Sequence, residues 1–226
     1  MKKHISLILI MQFCAVSVVF AQLEGKRFIS GLANIQFINN NPDMTKATHD
    51  YAASFNVGLG KFKTENRASG WTINASLNGG KSSYVSNNQL VDFEGIKGFG
   101  GGIGHFWQFY KHFNDKFGIF AGPNVGLFYG YSKELQGQES TYIESRRNAI
   151  SLTAGIDAGL YFKLSEKWWL LGSLGFSTPI SAKYEFQNYN EVGSSEKSKV
   201  TTFTYGFNPT ITFPSVGLGL RYFLTN

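Results

Sequence analysis

Histidines, a cysteine and a glycine-rich run are the parts of this chain from which chemistry could be built. Four histidines and one cysteine are present. His4 and Cys14 lie in the apolar N-terminal stretch, which leaves His49, His105 and His112. None stands four residues from another, the spacing that puts two imidazoles on one helix face, and no cysteine thiolate accompanies them. A metal centre is not expected. Acyl transfer at a membrane surface needs a histidine base beside a serine nucleophile. His105 is the histidine best placed for this, yet it has no recognisable serine partner. The run 98–104, GFGGGIG, has the composition of a phosphate cradle. Such cradles work where a strand gives way to the N-terminus of a helix, whereas this one sits inside a long alternating segment. Glycine there is expected to make room for large neighbours such as Phe106 and Phe120. No catalytic, cofactor-binding or metal residue is assigned, and no enzyme is expected.

The elements that would position any site are strands. In 117–131, Ile119, Ala121, Val125, Leu127 and Tyr129 alternate with Gly118, Gly122, Asn124, Gly126 and Gly130. A period of two sorts side chains onto opposite faces of a β-strand. Here one face is greasy and the other small or polar. The pattern recurs in 51–62, where Phe55, Val57 and Leu59 oppose Asn56, Gly58 and Gly60. In 70–84, Trp71, Ile73 and Leu77 oppose Thr72, Asn74 and Asn78, and in 149–164 Ile150, Leu152 and Ile156 oppose Ser151, Thr153 and Asp157. These runs exceed the five or six residues usual for a soluble strand. An apolar outside around a glycine-rich, polar inside suits a barrel standing in lipid. Eight strands are expected, over 27–38, 51–62, 70–84, 96–110, 117–131, 149–164, 168–186 and 203–224. Splitting the last at Asn208-Pro209 would give ten.

The chain has 226 residues and begins with Lys2 and Lys3 ahead of an apolar run ending near Ala21. That is the layout of a secretory signal peptide cleaved before Gln22. Its removal takes away the sole cysteine, as befits passage through an oxidising compartment. Residues 22–226 then form one domain. Charged and aromatic residues each make up 16%, with 26 glycines and only 5 prolines. So many rings and so few charges argue against disorder. The basic residues do not cluster with stacking aromatics, so nucleic acid is not an expected partner.

Connections at 63–69, 111–116 and 165–167 are short, whereas 39–50, 85–95, 132–148 and 187–202 are longer and polar. Outer-membrane barrels keep short turns in the periplasm and long loops outside. Trp71, Trp107, Trp168 and Trp169 all lie near the short turns and, with Phe62, Phe109, Phe117 and Tyr222, are expected to form an interfacial girdle. Phe37, Tyr51, Tyr84, Tyr129, Tyr131, Tyr184 and Phe203 would form the opposite one. Bases outnumber acids at the short-turn end, suiting anionic headgroups. Asp157, Lys163, Lys183 and Arg221 share the inward parity, as does Asn74. The expectation is a polar plug with Asp157 paired to a lumenal cation, or else a hydrated, loosely paired interior. Pro123 and Pro179 fall inside strands and call for bulges. Pro209 and Pro214 imply that the start of the last strand is irregular or stands above the membrane.

Ser215, Gly217, Leu220 and Tyr222 have the spacing of a terminal strand read by the barrel-assembly machinery. With SFNVGLGK at 54–61, GIGHFWQFYKHF at 102–113, the run 116–131 and 217–223, the chain resembles small outer-membrane barrel proteins of the OmpA/OmpX type, particularly the "porin family" barrels of Bacteroidota. The resemblance implies an all-β, eight-stranded antiparallel up-and-down transmembrane β-barrel. It carries no shared catalytic set, so it implies no site residues and no cofactor. Eight strands leave too little room for an open channel once side chains fill the lumen. The expected role is structural or surface-interacting: a closed or narrow monomeric barrel in outer-membrane lipid, displaying four extracellular loops to an unidentified ligand. A small diffusion pore and, behind it, a lipid-modifying enzyme are the alternatives.

Overall fold

Residues 23–40, 48–86, 89–138, 141–191, 197–208 and 217–224 are described by the computed structural model. The leader segment, Ser215, Pro209 and Pro214 lie outside them. Among the described residues every regular element is a strand: β1 (Arg27–Asn40), β2 (Thr48–Thr64), β3 (Arg67–Ser86), β4 (Gln89–His112), β5 (Phe117–Gln138), β6 (Thr141–Lys163), β7 (Trp168–Glu191), β8 (Lys197–Phe207) and β9 (Gly217–Phe223). Sequence neighbours pair antiparallel from β1 to β8. β6 pairs with β7, β7 with β9, and β9 with β1, which closes a ring.

That ring has eight staves. β8 pairs with β7 over Ile180–Asn190, and β9 pairs with the same strand lower down, over Trp168–Ser173. The two segments are therefore upper and lower halves of one stave, and the ten-strand reading is set aside. The upper half runs beside β7 as a regular ladder from Lys197 to Phe207, and the stretch around Pro209 and Pro214, expected to be irregular or above the membrane, lies outside the described residues.

Side-chain parity holds through the ring. Val57, Leu127, Ile150 and Ile156 face outward and are 37–49% exposed. The inward face is built from glycine set against aromatic rings. Phe28 pairs with Gly60, Gly60 with Gly70, and Gly70 with Phe106. Phe120 pairs with Gly159, and Gly118 with Tyr161. The fit is close. A Cβ added at Gly60 would lie 2.6 Å from Phe28 Cε2, one at Gly70 2.7 Å from Phe106 Cζ, and one at Gly118 2.6 Å from Tyr161 Cε1. Gly100 stands in the same relation to Phe128, at 2.7 Å. Within 98–104, Gly100 and Gly102 thus serve Phe128, while Phe106 and Phe120 rest on Gly70 and Gly159.

Short turns are fixed by side-chain acceptors. Asn114 Oδ1 accepts from the amides of Lys116 (2.9 Å) and Phe117 (2.8 Å), and Ser165 Oγ from those of Lys167 (3.3 Å) and Trp168 (3.1 Å). Each replaces a backbone bond in a tight turn. The segments expected as long loops are different. β5 and β6 stay paired out to Gln138 and Thr141, β3 and β4 out to Ser86 and Gln89, and β7 and β8 out to Asn190 and Lys197. They are β-ribbons, because their charges alternate and meet across the rungs. Lys81 bonds to Asp92 (3.0 Å) and Glu94 (3.1 Å), and Lys133 to Glu144 (3.1 Å).

The prolines are accommodated in two ways. At Pro179 the β6–β7 register shifts, so that Asp157 meets Gly175 while Ala154 meets Ile180. This is the expected bulge. At Pro123 no shift occurs: β4 and β5 keep one register on either side, and only the rungs opposite Trp107 and Gln108 drop out. A further shift at Asn78/Gly79 makes Lys97 the extra residue. Gly80 and Gly95 flank it with φ of +147° and +103°, values that favour glycine.

Gly159→Val pushes a branched side chain against Phe120 and the Gly172 carbonyl. It is expected to cost about 1–3 kcal/mol of stability by overpacking, read from urea unfolding in lipid vesicles. Gly130→Ala, whose added Cβ has nothing nearer than 3.5 Å, is expected to leave the unfolding midpoint in place.

Candidate functional site

The glycine–aromatic interlock gathers one face of eight strands into a plug at the short-turn end. Phe28, Phe62, Ala68, Phe106, Tyr110, Phe120, Tyr161, Trp169 and Phe223 are all buried there, and Leu23, ahead of β1, closes it from below. The rings pack edge to face and in stacks. Tyr161 lies on Trp169 with centroids 4.5 Å apart and planes 20° from parallel, and Trp169 meets Phe223 at 4.8 Å. Such pairs add about 0.5–1.5 kcal/mol each beyond area burial.

Arg221 stands at the centre of this apolar mass and is 1% exposed. Its guanidinium lies 3.9 Å from the Phe28 ring centroid, 5.7 Å from that of Tyr110 and 5.9 Å from that of Trp169. Nη1 donates to the Tyr110 hydroxyl, Nη2 donates to Gln108 Oε1 at 3.0 Å, and the Tyr110 hydroxyl donates to the same oxygen at 2.6 Å. A buried cation is costly unless bonded. Here ring faces and a closed triangle of hydrogen bonds offset the lost water. Beneath the rings, His112 Nε2 faces the Glu65 carbonyl at 3.1 Å and Nδ1 faces the Tyr161 hydroxyl. A carbonyl only accepts, so Nε2 carries the proton and Nδ1 accepts from Tyr161.

Above the plug the lumen is hollow. A cavity of about 410 Å³ is floored by Phe106, Phe120 and Arg221, with Asn56, Asn74, Asn124 and Asp157 among its walls. Ser54, Asn56, Ser76 and Asn78 point inward yet are water-accessible, so the space continues toward the ribbons. Higher still the lining is charged. Lys97 Nζ bonds to Asp50 Oδ1 and Ser82 Oγ, both at 2.6 Å. Arg147 and Lys183 both bind Glu185, the former at 3.0 Å. The lumen is a cup, sealed below and wet above.

The residues singled out by sequence separate accordingly. Asn74, Asp157 and Arg221 share the cavity, whereas Lys163 lies under the plug, 5.3 Å from the Trp169 ring, in a separate basin with Lys26, Glu65 and His112. Asp157 takes its hydrogen bond from Asn124 rather than from a cation. Trp71, Trp107 and Trp168 face outward at 60%, 41% and 44% exposure, and Tyr222 packs on Trp168 at 4.8 Å. Trp169 does not join them: it is 1% exposed and inside. Phe62, also expected in the girdle, is fully buried in the plug. Parity is the reason, since neighbours in a strand cannot both face out.

The remaining histidines lie far apart. His105 packs outward between Trp71 (4.9 Å) and Trp107 (4.3 Å), and His49 bonds to Asn39 in the upper ribbon at 2.9 Å. Among the described residues no three His, Cys, Asp or Glu side chains are placed to hold a metal ion. The residues not foreseen are Gln108 and Tyr110, which bind Arg221. Their signal was an inward parity shared with Phe28, Phe106, Tyr161 and Trp169 at one end of the chain's strands.

Arg221→Leu leaves the Tyr110 hydroxyl and Gln108 facing a hydrocarbon chain. It is expected to lower stability by about 2–4 kcal/mol, seen as a lower temperature for the shift between folded and unfolded bands in unboiled gel samples. Arg221→Lys, which keeps the charge but not the fork, should recover part of the loss.

No family model matches the chain, and no curated protein matches it. A search of solved structures finds the solution NMR structure of the outer membrane protein W of E. coli, at 12% identity and a TM-score of 0.35, covering 88% of this chain and 97% of that one.

Proposed function

We propose that this chain is an outer-membrane β-barrel with a structural or surface-interaction role, holding β-ribbons outside the cell on a barrel that does not conduct. The outward face carries this reading. In β6 it is apolar from Phe162 through Leu160, Ile156 and Leu152 to Ile150, each 39–57% exposed, and it then turns to Asn148, Arg146 and Glu144. Thirteen residues at ~3.3 Å each, tilted by ~40°, span about 30 Å, the thickness of a bilayer's hydrocarbon core. A continuous apolar belt of that height would be unstable in water. Trp71, Trp107, Trp168 and Tyr222 edge it on the short-turn side, and Tyr184, Phe186 and Phe203 on the ribbon side. Export by a leader cleaved near Ala21, delivery by the barrel-assembly machinery and a monomeric state belong to the same proposal.

A diffusion pore is the weaker reading, because the plug fills the short-turn half of the lumen with rings. Planar-bilayer recordings of the purified barrel are expected to show no sustained conductance. A large, stable open level would overturn the closed-barrel reading.

The ribbons depend on ionised carboxylates. Burial pushes the Glu144 carboxyl up, but hydrogen bonds from Arg146 (2.6 Å) and Lys133 (3.1 Å) outweigh this and hold it below its ordinary value of 4.5. A depressed carboxylate stabilises the fold above the unfolded value, and that stability is lost as pH falls through the folded one. Amide exchange in 143–147, corrected for intrinsic rate, should therefore quicken on acidification below that ordinary value. Glu144→Gln should exchange faster at neutral pH and lose the acid dependence.

A further inference from the structure

The lumenal cup has the make-up of a ligand site that the display role does not use. Its volume of about 410 Å³ falls in the range of small-molecule clefts, about 300–1,000 Å³. It is blind below, open toward the ribbons, and walled by groups that both donate and accept. Asn56, Asn74 and Asn124 supply amides, and Thr72 and Thr153 supply hydroxyls. Phe106 and Phe120, each 6% exposed, offer apolar faces at the floor.

Two polar atoms in this lining are buried with no partner in the protein: Asn74 Oδ1 and Arg221 Nε. Each belongs to a side chain that borders the cavity, and Arg221 is almost wholly buried. A buried donor or acceptor left unbonded costs about 1–3 kcal/mol. Both atoms are themselves closed to water as placed, so a ligand would meet them only after the Asn74 or Arg221 side chain turns toward the cup. The formal charges of the lining nearly cancel. Arg221 is held by Tyr110 and Gln108, and Asp157 by Asn124. Such a lining draws neither anions nor cations strongly.

From this we infer that the cup binds a neutral polyhydroxylated molecule of one or two sugar rings, entering from the ribbon side. The ring's C–H face lies on Phe106 and Phe120. Its hydroxyls bond to the amides of Asn56, Asn74 and Asn124 and to the hydroxyls of Thr72 and Thr153 along the walls. The mouth passes the Lys97–Asp50 and Arg147–Glu185–Lys183 pairs, whose mixed signs again favour an uncharged visitor. Either a free sugar or the terminal rings of a surface polysaccharide would present this chemistry.

The methyl groups of Thr72 and Thr153 line the cup and report occupancy directly. Methyl-labelled full-length barrel in lipid nanodiscs is titrated with glucose, N-acetylglucosamine, maltose and, as a zwitterionic control, glycine. Saturable shifts of both methyls with at least one sugar, at or below about 100 mM, are the expected result. Asn74→Leu should weaken that response about tenfold or more. Thr153→Val, a smaller change, should weaken it less while Thr72 still reports. Both variants are first checked for the folded band on unboiled gels. A dextran ending in the same sugar separates the sources: displacement of the free sugar identifies a polysaccharide terminus, and its failure identifies the free sugar. Unmoved methyls, shifts with glycine alone, or an equal response from folded Asn74→Leu would each overturn the inference.

Discussion

Glycine opposite an aromatic ring is the contact on which the rest of this barrel depends. An eight-stranded ring has a narrow axis, and side chains from facing strands compete for it. The chain resolves that competition by register. Where β1 sends in Phe28, β2 and β3 send in Gly60 and Gly70, and β4 answers with Phe106. A slip of one residue in a ladder would turn the inward glycines of the slipped strand outward and drive its apolar face into the lumen. The interlock thus fixes register as well as filling space. It also permits Arg221 at the centre, because the rings leave a slot whose walls are π-faces and whose rim is Tyr110 and Gln108.

Three levels follow along the axis, each with its own electrostatics. The plug is nearly dry and holds one cation through ring faces and hydrogen bonds. The cup above it is neutral and amide-lined. At the ribbon level formal charges return and are paired, across strands in Lys97 with Asp50, Arg147 with Glu185 and Lys133 with Glu144, and along one strand in Lys183 with Glu185 and Arg146 with Glu144. On the outside the same axis runs from tryptophan through aliphatic side chains to charge. Inner and outer surfaces both become charged at the ribbon level, which is why the ribbons can rise as paired strands and not collapse onto the wall.

Much of this was legible in the sequence, because a period of two needs only residue types. The alternation of Ile150 to Phe162 against Ser151 to Tyr161 names both faces without any knowledge of neighbours. The bulge at Pro179 was legible for a similar reason, since a missing N–H is a property of the residue. What was not legible depended on pairing. Polar composition made 132–148 read as a loop, since Lys133 and Glu144 become partners only once the β5–β6 register is known. Trp168 and Trp169 look equivalent in the chain, and only the rung from Trp169 to Arg221 places one of them inside. Pro123 needs no bulge because the rungs it forgoes lie toward β4 alone, while its ladder to β6 is unbroken.

The central claim is that the lumen is open from the ribbon side and closed from the other by the aromatic plug. It is tested most directly with Asn56→Cys, a lumenal position above Phe106, in vesicles of a single orientation. A charged, membrane-impermeant thiol reagent should modify that cysteine when added on the ribbon side and leave it unmodified when added on the short-turn side. Equal labelling from the short-turn side would mean that water and ions pass the rings, and that the plug does not seal.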